Sequence, residues 1–211
     1  MSGMIIERLL AVLIALGGGW AAAGIIRRYD ESADPRYTVL TLAAIVMALW
    51  AYLTVTPNLL ALSCCLGWAL LVLASIDLRV HRLPDILTLP LIVLGFLMAV
   101  RLPDVSLTDR LIGAAAGYGA FAGLAYLYRS LRGRDGLGLG DAKLAAAAGA
   151  WLGWQALPTF VLLACAGGFV WITIRLLRSG AGLHTPLPFG VPLAGAFWLM
   201  WLYGPLITPP P

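Results

Sequence analysis

An all-α fold, a polytopic bundle of about eight transmembrane helices, is predicted by three features of the chain. Of its 211 residues, 61% are hydrophobic and 11% charged, where a soluble domain carries roughly 25% charge; the mean hydropathy is +0.92. Apolar runs separated by short polar breaks fill the sequence, and the basic residues are shared unevenly among those breaks. An ordinary cytosolic globule, a disordered chain and a disulfide scaffold are excluded on these grounds. The formal net charge of +4 is a modest surplus and gives no indication of nucleic-acid binding.

The runs, in order, are Leu9–Ile26, Tyr37–Thr56, Leu59–Ile76, Ile86–Val100, Leu111–Tyr128, Ala142–Leu157, Phe160–Ile174 and Phe189–Leu206. A spanning helix needs about 20 residues, within a range near 17–25. Five runs meet or approach that length. The fourth, sixth and seventh are short and must be extended by flanking residues or enclosed by neighbours. The first run has a signal-peptide alternative, with Arg8 before it and Ala21-Ala22-Ala23-Gly24 resembling a cleavage region. Glu7 beside Arg8 weakens that alternative, and the length of the run favours a retained anchor. Pro57-Asn58 and Pro158 are expected to break the chain between helices. Pro209-Pro210-Pro211 reads as a frayed end.

Orientation follows from Lys/Arg counting. The first, third, fifth and seventh loops hold Arg27, Arg28, Arg36, Arg79, Arg82, Arg129, Arg132, Arg134, Lys143, Arg175 and Arg178, which are 11 of the 14 basic residues. Arg8, Arg101 and Arg110 lie on the other side. The odd loops are therefore expected in the cytoplasm and both termini outside. The three cysteines, Cys64, Cys65 and Cys165, sit in apolar runs and form no C-x-x-C pair, so they read as packing residues and no metal site is expected.

With ten acidic residues, each can be weighed. Glu7, Asp30, Glu31, Asp34, Asp104 and Asp109 read as solvated loop charges. Asp85 and Asp135 are loop residues beside more interesting neighbours. Asp77 directly follows an uncharged, mostly apolar run of eighteen residues, and Asp141 opens an Ala-rich run after alternating Gly136, Gly138 and Gly140. Ionisable groups at membrane depth are costly and mark function by default. The topology puts both carboxylates at cytoplasmic helix ends and at similar depth. Two carboxyls meeting in a low-dielectric cleft do not readily both ionise, so one holds a proton while the other stays charged. Such a dyad can activate water for attack on an amide and protonate the leaving nitrogen. Taken singly, the acids have plainer readings: Asp77 as a charge paired with Arg79 or Arg82, and Asp141 as an N-terminal cap. The glycines suit close backbone approach rather than a phosphate loop, since no Gly-Lys-Ser/Thr follows. The small residues from Ala142 to Ala150 allow close helix packing and suit a central helix carrying Asp141. Lys143 reads as snorkelling to the interface or contacting substrate or lipid.

The stretch Gly138-Leu139-Gly140-Asp141-Ala142-Lys143-Leu144, followed by Gly149 and Gly153, resembles the GxGD signature of type IV prepilin peptidases. Ile76-Asp77-Leu78-Arg79 with Leu83-Pro84-Asp85-Ile86-Leu87-Thr88-Leu89-Pro90 is similar to that family's other aspartate motif. Pro188-Phe189-Gly190-Val191-Pro192-Leu193-Ala194-Gly195 resembles its Pro-Phe-Gly segment. The resemblance covers roughly Leu59 to Leu206. It implies a GxGD aspartyl protease-like bundle in the bacterial inner membrane, multi-pass, with its active site facing the cytoplasm. Residues 1–58 would supply N-terminal helices and a short cytoplasmic loop, 59–206 the catalytic core and 207–211 a tail. Asp77 and Asp141 would be the catalytic dyad, Gly138 and Gly140 the active-site loop, and Pro84, Asp85 and Lys143 candidate substrate-binding residues. The substrate would be a prepilin or pseudopilin of a pilus or type II secretion system, cut after a leader glycine. Many members also carry a cytoplasmic domain with two C-x-x-C pairs binding zinc, and methylate the new N-terminus with S-adenosylmethionine. Here that region shrinks to Arg27–Arg36 without cysteine, which favours a peptidase-only form with no cofactor.

A transporter using the same carboxylates would place them near mid-membrane, whereas here they fall at helix ends. A non-catalytic assembly protein would tolerate their replacement by Asn. No His-Glu-x-x-His or Gly-x-Ser-Gly site occurs, and His81 and His184 are loop residues. The cytoplasmic face is basic, so a basic leader needs acidic groups such as Asp85 or Asp135 to receive it.

Overall fold

The computed structural model describes residues 17, 21–22, 24–29, 37–102, 104–133, 138–179 and 188–204. Among them all regular structure is helical. Most of the first run, Asp30–Arg36, Arg134–Leu137, His184 and the Pro209–Pro211 tail lie outside the described residues. The chain forms two compact units, Met1–Val80 and His81–Pro211.

In the first unit, residues 24–29 are helical, and α1 (Tyr37–Thr54) packs on α2 (Leu60–Val80). The expected break at Pro57 is present as a single tight turn, Pro57–Leu59, entered through an extended Thr56. Proline suits that first position because its missing N–H has no helical acceptor there. Apart from Asp77 and Arg79 in the last turn of α2, both helices are largely apolar, so their hydroxyls must find partners within the chain. Ser63 and Ser75 donate to the carbonyls of Leu59 and Leu71, at 2.8 and 2.7 Å. Val39, Leu42, Val46, Leu49 and Leu53 form an exposed stripe at helical spacing along α1, as a lipid-facing helix requires.

The second unit is built around one short helix. Its elements are α3 (Asp85–Leu97, extended by one tight turn to Val100), α4 (Leu107–Arg132), α5 (Leu139–Leu152), α6 (Leu157–Ser179) and α7 (Gly190–Tyr203). Helix α5 packs against α3, α4 and α7 and also touches α6. Ten of its 14 residues are buried. At 1.5 Å per residue it is about 21 Å long, short of the roughly 30 Å hydrocarbon core; enclosure by neighbours is what makes that length tolerable. Small residues permit the enclosure. A Cβ on Gly113 would lie 2.5 Å from the Gly149 carbonyl oxygen, and one on Gly117 would lie 2.5 Å from that of Ala145. Gly113-x-x-x-Gly117 thus meets Ala145-x-x-x-Gly149 with the helices antiparallel and their backbones touching.

At the far end of that pair lies Arg110, fully buried in the first turn of α4. Its guanidinium donates to the carbonyls of Ala150 and Trp151 at 3.0 and 2.7 Å, and to those of Gly95, Leu102 and Val105 at 3.1–3.3 Å. One side chain therefore serves carbonyls from the ends of α3 and α5, groups that helices leave without internal partners. Gly153, at φ +81°, then turns the chain away.

Among the described residues, three helices are long and apolar enough to cross a membrane: Pro57–Val80, Leu107–Arg132 and Trp154–Arg178. Thr38–Thr54, Asp85–Val100 and Gly190–Tyr203 are shorter apolar helices. The seventh run is thus longer than its apolar residues alone imply, because Pro158 does not break it. Pro158 sits in the first turn of α6, where no N–H is needed, and the break falls earlier, at Gly153. Asp109 is no solvated loop charge. Ser106 caps α4, accepting from the Asp109 N–H at 3.0 Å and donating to its carboxylate at 2.7 Å. The other carboxylate oxygen accepts from Trp154 at 2.9 Å and Gln155 at 3.2 Å.

Candidate active site

The GxGD turn folds as the N-terminus of α5. Gly138 is the cap residue with extended backbone (φ −77°, ψ 143°), and its carbonyl accepts from the Asp141 N–H at 3.1 Å. Asp141 therefore occupies the third helical position, where the positive end of the helix stabilises negative charge. Its side chain is buried, with 8% exposure, and folds back toward the cap: a Cβ on Gly138 would stand 3.6 Å from its Oδ2.

Gly140 explains why the turn sits where it does. A Cβ there would lie 2.8 Å from the Leu83 Cβ and 3.3 Å from the Leu83 backbone N and O. The turn is pressed against the stretch Leu83-Pro84-Asp85, in which Leu83 and Pro84 are buried. Pro84 is the extended cap residue of α3, and its carbonyl accepts from the N–H groups of Leu87 and Thr88 and from the Thr88 hydroxyl. Asp85 begins α3 and accepts an ion pair from Lys143 at 2.5 Å. Two of the three sequence motifs thus contribute to one cluster: Gly138, Gly140, Asp141 and Lys143 from one, and Pro84 and Asp85 from the other.

The third motif opens α7. Pro188 is buried, Phe189 caps the helix, and its ring lies 6.4 Å from that of Phe121 on α4. Pro192 fills the space opposite Gly167 on α6, where a Cβ would meet it at 3.2 Å. This segment fastens α7 to its neighbours and holds no ionisable side chain among the described residues.

Asp77 belongs to the first unit, where it is 4% exposed in the last turn of α2. Four residues later His81 adopts φ +51°, the left-handed conformation that ends helices. Asp135 and Gly136 lie outside the described residues. From the sequence, Arg110 reads only as a loop base and Asp109 only as a solvated charge, and the Gly113/Gly117 pair is not singled out. Ser106-x-x-Asp109 and Gly-x-x-x-Gly are nevertheless short, recognisable patterns of helix start and close packing.

The profile of the type IV leader peptidase family matches residues 64–173. A protein of Aeromonas hydrophila named prepilin leader peptidase/N-methyltransferase is 42% identical over 187 residues, covering 88% of this chain and 64% of that one. Proteins of the same name from Stutzerimonas stutzeri and Pseudomonas aeruginosa are 43% and 41% identical over 143 residues, covering 68% of this chain and 50% and 49% of theirs. The chain thus spans about two thirds or less of the length of these relatives. No solved structure matches it significantly.

Proposed function

Because the chain belongs to the type IV leader peptidase family, we propose that it is a membrane aspartic endopeptidase that removes the basic leader of prepilins or pseudopilins. The observation that carries this reading is the GxGD turn itself, whose buried Asp141 is built on a glycine that only close packing against Leu83 explains. In this reading the protein is a GxGD aspartyl protease-like bundle of about eight spans in the bacterial inner membrane. Residues 59–206 form its catalytic core, and the basic loops and the active site face the cytoplasm.

Asp77 and Asp141 act as the dyad. One carboxylate takes a proton from water as the water oxygen bonds to the scissile carbonyl carbon. The other carboxyl delivers its proton to the departing nitrogen as the C–N bond breaks. Helix polarity supports the division of labour. Asp141 lies at the amino end of α5 and suits the base, whereas Asp77 lies at the carbonyl end of α2 and suits the acid. No covalent intermediate is required. Residues 27–36 contain no cysteine, which supports a peptidase-only form, although the relatives' names include N-methyltransferase.

The test is cleavage of a labelled prepilin by the full chain in membranes, with mass spectrometry of the product. Asp77→Asn and Asp141→Asn should each abolish cleavage while leaving the protein in the membrane. Full activity in either variant overturns the assignment. The product mass reports the cut site and any added methyl group together.

A further inference from the structure

We propose that Asp85 and Lys143 are positioning residues, an ion-paired clamp that holds the Asp141-bearing turn in its working orientation. The proposal rests on the reading of Asp141 as a reacting carboxylate. Lys143 stands two residues beyond Asp141 in α5, and its Nζ reaches Asp85 Oδ1 at 2.5 Å across a sequence separation of 58 residues. Asp85 is the first residue of α3, directly after the Leu83–Pro84 stretch that abuts Gly140. The turn is therefore held on two sides: by steric contact at Gly140, just before Asp141, and by charge at Lys143, just after it. Contact alone resists approach of the turn toward Leu83. At this end of the two helices, the ion pair adds resistance to its departure.

Exposure separates this role from a purely structural one. The Lys143 and Asp85 side chains are 25% and 58% exposed, and an ion pair so open to solvent contributes little to folding. What it restricts is orientation, to which a reacting group is sensitive on the scale of an ångström. The same pairing argues against Asp85 as a free acceptor for the leader's basic residues, since its charge is already engaged by Lys143.

The experiment measures steady-state cleavage by the full chain in detergent or membranes, on a prepilin with a basic leader and on one with its leader charges neutralised. Asp85→Asn and Lys143→Gln are each expected to lower kcat by about tenfold or more, with KM unchanged and the same loss on both leaders. Combining Asp85→Lys with Lys143→Asp should recover most of that loss, and Lys143→Arg should be several-fold more active than Lys143→Gln. Wild-type kcat in the single variants overturns the clamp. So does a rise in KM confined to the basic leader, which would make these groups leader contacts. A fall in unfolding midpoint that tracks the loss of kcat makes the pair merely structural and overturns it too. Asp141→Asn, run alongside, separates the two layers. If that variant still cleaves, the reading of Asp141 fails; if it is inactive while the pair variants behave as wild type, the clamp alone fails.

Discussion

A single methyl group distinguishes the two glycines of the GxGD turn. At Gly140 it would lie 2.8 Å from the Leu83 Cβ and within 3.3 Å of the Leu83 backbone. Backbone cannot swing aside as a flexible side chain can, so the turn or the Leu83–Pro84 stretch must move. At Gly138 the nearest atom would be 3.6 Å away, an ordinary contact, and the backbone there is one that any residue adopts. Gly140→Ala is therefore expected to lose at least about tenfold more cleavage activity than Gly138→Ala. Parallel kinetics on the two variants check this, and equal losses would show that the turn is not seated as described. The sequence pattern treats the two positions alike, as alternating glycines. Their difference lies in what stands opposite, a stretch more than fifty residues earlier.

Among the elements, α4 and α5 are joined by backbone contact rather than by interlocking side chains. A Cβ on Gly149 would overlap the Gly113 carbonyl group. Gly149→Ala must then push the helices apart, and with them the buried Phe121, Ala145 and Trp151. In a close-packed interior such overpacking costs about 1–3 kcal/mol. Gly119, on the same helix α4, has nothing within 4 Å of its Cβ position, so Gly119→Ala should leave the unfolding midpoint nearly unchanged. Thermal unfolding in detergent micelles compares the two, and similar midpoints would remove the backbone-contact description. The helical content was legible because apolar runs of this length bounded by Pro and Gly admit little else. Helix ends were less so. Pro158 reads as a breaker in sequence, yet its helix starts one residue earlier, where a missing N–H does no harm. Arg110 counted in sequence only as a charge on one side. Its five carbonyl partners come from α3, α5 and the connection between α3 and α4, and nothing local to residue 110 announces them.

For the molecule as a whole, the sequence-level case for sidedness was a count of loop charges, and the second unit adds a structural axis to it. Helix α4 has 26 residues, or about 39 Å, enough to carry its two ends to opposite faces of a roughly 30 Å hydrocarbon core. Gly113 pairs with Gly149 and Gly117 with Ala145, so α5 runs back along α4. Asp141 and Lys143 therefore lie toward the Arg129–Arg132 end of α4, and Asp85 joins them there through its ion pair. Arg110, by contrast, spends its charge on carbonyls at the other end. Arg129 and Arg132, both exposed, stand at the end that carries the GxGD acid, and Arg101 is exposed at the other; because an excess of Lys and Arg favours the cytoplasmic side, the proposed orientation can be tested by labelling each end. With Cys64, Cys65 and Cys165 replaced, Ser130→Cys should react with a membrane-impermeant maleimide in inside-out vesicles and resist it in right-side-out ones. Val100→Cys, 85% exposed at the end of the α3 extension, should show the reverse. Labelling of both from one side would break the link between helix direction and sidedness. Labelling of each from the wrong side would move the GxGD acid to the outer face and deny it any substrate whose leader is cut in the cytoplasm.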